Sequence, residues 1–126
     1  MSHIILYTSE LHVVESKVQG ELTLDEVKEI ITEIAIITKE KACMLILSDY
    51  REVTLRLSML QLYDLPKITE NIFASSGLNI FGCKRALVAA EGLKDYSFYE
   101  NVMVNRGQKV RVFTNIDKAK EWLFGK

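Results

Sequence analysis

An α/β domain with a mostly parallel, five-stranded sheet and packed helices is the fold this sequence predicts. Three observations predict it. The runs Met44–Leu47 and Arg85–Ala90 show little polar alternation, as in strands covered on both faces. The tetrads Thr23-Leu24-Asp25-Glu26 and Ser58-Met59-Leu60-Gln61 are capping boxes that open helices. Strand-like and helical segments alternate along the chain, which is how parallel sheets are built.

Each element has its own justification. His3 to Ser9 is rich in Ile, Leu, Tyr and Thr and reads as a strand, with a second from His12 to Val18. The short break between them permits only a hairpin reversal, because a parallel crossover needs a dozen or more residues. Gly20 breaks the pattern. After Thr23, the residues Val27, Ile30, Ile31, Ile34 and Ile37 form one apolar helical face, ended by Lys39, Glu40 and Lys41. The strand Met44–Leu47 ends in Ser48-Asp49, and Tyr50 to Leu57 reads as a polar connection. Ser58 opens a second helix carrying Leu62, Leu65, Ile68, Ile72 and Phe73. Pro66 predicts a kink, or a split into two helices. Arg85–Ala90 is the next strand, Asp95–Val104 a helix that stops at Gly107, and Lys109–Phe113 the fifth strand. Asn115 caps a last helix with Ile116, Ala119, Trp122 and Leu123 inward. The order is ββαβαβαβα.

The 126 residues make one domain, 1–126, large enough to bury about two-thirds of its unfolded surface. A hydrophobic content of 48% with one proline argues against disorder. The net charge of −1, with basic residues dispersed, excludes a nucleic-acid partner on electrostatic grounds. Cys43 and Cys83 stand apart from any CxxC pair and read as free, buried thiols of a reducing compartment. The amino terminus lacks a basic leader region, and no apolar run is long enough to span a bilayer. The expectation is a cytoplasmic protein without stable membrane insertion.

Catalytic patterns are missing. His3 and His12 both lie on the opening hairpin, and there is no Gly-x-Ser-x-Gly elbow, P-loop or metal-spaced His/Cys set. No catalytic residue, metal or cofactor is expected. The surface expected to meet a ligand or partner is Asp49, Tyr50 and Arg51, at the carboxyl end of a central strand, together with Ser58. A surface ion pair of Arg51 with Asp49 or Glu52 is the plainer reading of that polar stretch. Leu78, Ile80 and Phe81, between Gly77 and Gly82, are either a self-association surface or part of the core. A homodimer whose interface includes Ile80 or Phe81 is the expectation.

The segment Val18-Gln19-Gly20-Glu21-Leu22-Thr23 resembles the strand-to-helix junction of STAS domains, the fold of bacterial anti-sigma-factor antagonists. Leu45-Ile46-Leu47-Ser48-Asp49 resembles their next strand. Arg85-Ala86-Leu87-Val88, Lys109-Val110-Arg111-Val112-Phe113 and Ala119 with Glu121-Trp122-Leu123 are similar to the stage II sporulation protein AA-like branch. The resemblance covers nearly the whole chain and implies a STAS-like fold. Antagonists of this type carry an Asp-Ser-Ser-Gly-like turn with a phosphorylated serine. Here the comparable place reads Thr54-Leu55-Arg56-Leu57-Ser58-Met59, without the preceding acid or the following glycine. Ser58 is a phosphoacceptor on the family reading and an ordinary helix cap on the local one. The function implied is a non-catalytic protein-interaction or regulatory module. The alternative is a carrier for a small apolar ligand or lipid, after the comparison of this branch with CRAL-TRIO domains. A subunit of an enzyme complex is a third reading.

Overall fold

Strands β1 (Ser2–Thr8) and β2 (Val13–Leu22) pair antiparallel as a hairpin. Helix α1 (Leu24–Lys41), strand β3 (Leu45–Leu55) and helix α2 (Met59–Ser75) follow. Strand β4 (Lys84–Val88), helix α3 (Leu93–Asn105), strand β5 (Lys109–Phe113) and helix α4 (Ile116–Leu123) complete the chain. The structure is a computed structural model and describes residues 2–90 and 92–125. The strands lie in the order β1-β2-β3-β4-β5, with β2 to β5 parallel.

The strand order decides where the helices go. Each parallel crossover steps one strand in the same direction, and right-handed crossovers then place every connecting helix on one face. Residues of α1, α2 and α3 pack with Val14, Ile46, Tyr50 and Leu87 in the main core. Helix α4 connects no strands and covers the other face, where Ala119 and Leu123 meet Val13, Leu47, Ala86 and Val88. It packs mainly on β3, β4 and β5 and meets β2 at Val13. The rest of that face is open. Ile4 and Leu6 of β1 lie on it, paired with Lys17 and Glu15, and are 61% and 59% exposed.

Both capping boxes form. Thr23 pairs reciprocally with Glu26, and Ser58 with Gln61. Helix α1 ends with Ala42 in the left-handed region at φ 49, where the Cys43 amide donates to the Thr38 carbonyl. Helix α2 runs unbroken through Pro66, so the predicted split does not occur.

Three expectations need correction. The segment Tyr50–Leu55 is strand, not connection, and Asp49, Tyr50 and Arg51 lie inside β3 rather than at its end. Strand β2 likewise continues through Gly20 to Leu22, pairing Gln19–Leu22 with Glu52–Leu55. The charged residues misled the reading because they face the uncovered side of the sheet. Between the Lys17–Asp49 and Gln19–Glu52 pairs, β2 advances two residues and β3 three. This bulge lets Arg51 and Glu52 both stay exposed while Tyr50 and Val53 both point into the core. Third, the loop after α2 does not present one apolar patch. A 3-10 turn over Ile80–Gly82 buries Ile80 to 3% exposure, Leu78 is half-buried, and Phe81 is exposed.

At the outer edge of β5 the Glu100 carboxylate accepts from the Val112 amide. Both cysteines are free and buried. Among the described residues no helix is long and apolar enough to cross a membrane.

Because Ile80 is inside and Phe81 outside, Ile80→Ala should cost about 2–5 kcal/mol. Phe81→Ala should cost less than about 1 kcal/mol. Urea denaturation of the two variants measures this directly, and equal losses would place both side chains in the core.

Candidate functional site

The three-helix layer does not close completely on the sheet. A cavity of about 70 Å³ lies between them. Its wall is largely aliphatic, with Val27 and Ile31 from α1, Ile46 and Leu55 from β3, Leu62 and Leu65 from α2, and Leu87 from β4. Its polar members are Ser48 and Tyr50 of β3, Thr69 of α2, Arg85 of β4, and Tyr96 and Tyr99 of α3. The half-buried Ile31, Ser48, Leu55, Leu57, Arg85 and Tyr99 bring the lining nearest to solvent.

Alternation along β3 from Ile46 through Ser48 aims Tyr50 inward, and Tyr96 lies on the buried side of α3. Tyr50 is 9% and Tyr96 2% exposed. Burial pushes both phenols well above their usual pKa, with smaller contributions from Tyr99. Both stay neutral across physiological pH. Thr69 is satisfied locally, its hydroxyl donating to the Leu65 carbonyl at 2.8 Å. Tyr96 is not, since its buried hydroxyl has no hydrogen-bond partner.

Arg85 is the charged member. It is the second residue of β4, and its register partners are Ile46 and Val110. One guanidinium nitrogen, Nη2, donates to the Gln108 side-chain carbonyl and lies 3.6 Å from the Met103 sulfur. The buried Nε has no partner. Gln108 is 3% exposed and is itself fixed, its Nε2 donating to the Pro66 carbonyl and to Glu70, both at 3.0 Å. Arg106 then holds Glu70 through two bonds, at 3.1 and 2.7 Å. The guanidinium of Arg106 keeps the Glu70 carboxyl below its usual range. A connected chain, Arg85–Gln108–Glu70–Arg106, thus runs from the cavity to the surface. It contains two guanidiniums and one carboxylate.

The residues singled out from the sequence are not gathered in one place. Tyr50 lines the cavity. Asp49 and Arg51 sit on the opposite side of the sheet and bind one another, Arg51 Nε to Oδ1 at 2.9 Å and Nη2 to Oδ2 at 2.8 Å. That pairing lowers the Asp49 pKa. Ser58 is exposed at the start of α2, where its hydroxyl accepts from the Gln61 amide at 3.1 Å. Among the described residues no cluster of His, Cys, Asp and Glu has the makings of a metal site.

Arg85, Tyr96 and Gln108 were missed. The signal for Arg85 was a charge heading a run otherwise suited to burial on both faces. Nothing local marks Gln108, whose partners lie 23 to 42 residues away.

Glu70 carries a pH prediction. Its pKa is lowered in the folded state from 4.5, so its stabilising contribution is present above that value and is lost as pH falls through the lower folded value. Glu70→Gln should therefore be less stable than the native chain at neutral pH, and the difference should shrink on acidification below the usual Glu range. Unfolding free energy measured against pH tests this; a difference that does not change with pH would mean Glu70 is not held by Arg106.

No protein-family model and no curated protein matches this chain, and the functional reading rests on the site itself.

Proposed function

We propose that this chain is a non-catalytic binding domain of STAS-like type that holds a small, mainly apolar molecule between its sheet and its three-helix layer. The carrying observation is the cavity, an aliphatic space into which a positioned arginine and buried phenols are built. Pockets for small molecules have this composition, an apolar wall with a few placed polar groups. The comparison of the resembled branch with CRAL-TRIO carriers supports the same reading, whereas the STAS-like resemblance itself implies a protein-interaction module. At about 70 Å³ the closed cavity takes only a few heavy atoms. A lipid chain would require α2 and α3 to part from the sheet.

One observation favours a protein partner as the second reading. Met59, Leu60 and Tyr63, on the first turns of α2, are 55%, 71% and 65% exposed. They adjoin Ser58. Grouped exposed apolar side chains of this kind mark contact surfaces. A phosphate on Ser58 would be favoured by the helix amino terminus and would change the charge of that surface. The cytoplasm is the compartment proposed for either reading, in keeping with two free thiols.

Val110 lines the cavity, and Val110→Leu adds one methylene there. The variant should keep its melting temperature within a few degrees of the native value, since the added volume has room. It should also lose uptake of small apolar molecules. Native mass spectrometry of protein purified from cells, with and without the substitution, provides the readout. A molecule carried by the native chain and absent from the variant supports the cavity as the site. Equal loading of both would place the ligand elsewhere.

A further inference from the structure

The chemistry of the ligand can be taken further than its polarity. Among the described residues four buried side-chain polar atoms have no partner, and two of them, Arg85 Nε and the Tyr96 hydroxyl, are donors of residues that line the cavity. Leaving such groups unpaired is costly, and native structures rarely do so without a reason. Arg85 also forms no ion pair among the described residues. Among the described residues its side-chain acceptors are the neutral Gln108 amide and the Met103 sulfur. The carboxylate next in line, Glu70, is already engaged by Arg106 and Gln108. One positive charge at the cavity is therefore uncompensated.

We propose that the cavity binds a short-chain monocarboxylate, its anionic head accepting hydrogen bonds from Arg85 and Tyr96 and its hydrocarbon part lying against the aliphatic wall. This rests on the binding function proposed above. A carboxylate supplies the one negative charge that is lacking and two oxygens for two donors. A cation is repelled by Arg85. A neutral molecule leaves the charge unpaired. A phosphate dianion brings a second charge that no further guanidinium on the lining meets. The size follows from the volume, about 70 Å³. A single liquid water takes about 30 Å³, and a cavity of about 150 Å³ holds benzene. Benzene has six heavy atoms, so on the same scale about 70 Å³ takes about three or four, and an acid of one or two carbons is the class that fits, with its methyl group toward Leu62 and Leu87.

The test uses three molecules of one chain length, acetate, acetamide and ethanol, titrated into the native protein. Two-dimensional ¹H–¹⁵N NMR follows the Arg85 Nε–H resonance together with the backbone amides of the lining. Acetate should shift the Nε–H signal saturably and bind at least tenfold more tightly than the amide or the alcohol, because only it pairs the charge. Tyr96→Phe, which keeps the ring, should weaken acetate severalfold and leave the alcohol unaffected. Arg85→Gln should abolish the preference. If the alcohol binds as tightly as acetate, the carboxylate assignment is overturned and the apolar cavity function stands. If none of the three moves any lining resonance, the binding function itself fails. Both decisions are made on the native chain and do not depend on either variant folding.

Discussion

Three right-handed crossovers that all step the same way across the sheet set the rest of this molecule. They leave no choice about the helices α1, α2 and α3, which must share one face. Three helices side by side are wider than the strands they connect, and their inner faces must meet the sheet with side chains of very unequal length. The cavity lies where that match is incomplete. On the other face a single helix of eight residues, Ile116–Leu123, touches β2 at Val13 and leaves Ile4 and Leu6 of β1 exposed. The same sheet is thereby doubly covered at one end and half bare at the other. Polar residues in β3 are tolerated because they face the bare part.

How much of this was legible follows from the range of each interaction. The capping boxes at Thr23 and Ser58 and the cap at Asn115 depend on residues two or three apart, and each was readable. The apolar strands at Ile46 and Leu87 were readable for the same reason. Strand β3 beyond Asp49 was not. Its pairing with Gln19–Leu22 is remote in sequence, and a bulge broke the alternation that would have revealed it. Ile80 was ambiguous because only the 3-10 turn decides which of two adjacent apolar residues turns inward. Tyr50 was singled out for its place at a strand end, and its importance lies instead in pointing the opposite way from both its neighbours.

The cavity's charged wall was the least accessible part. Arg85, Gln108, Glu70 and Arg106 come from β4, the approach to β5, α2 and the end of α3. Gln108 has a particular role in that arrangement. A carboxylate in its place would neutralise Arg85 directly. An amide instead orients the guanidinium, through its carbonyl, without quenching its charge, while its nitrogen is occupied by Pro66 and Glu70. Position 66 contributes through its backbone carbonyl, whereas the carbonyl that the proline ring leaves without an amide is that of Leu62, one turn earlier.

The two margins of the sheet differ in a way that bears on assembly. Along β5 the Glu100 carboxylate occupies the Val112 amide, and Lys109 and Arg111 add charge. Along β1 the sequence Ser-His-Ile-Ile-Leu-Tyr-Thr carries no proline, lysine or acid, the devices that ordinarily discourage strand addition. Sheet extension is therefore open at one margin only. Two chains joined there would each present a blunted β5 to solvent, so growth by this route terminates at a pair and cannot propagate into a fibre.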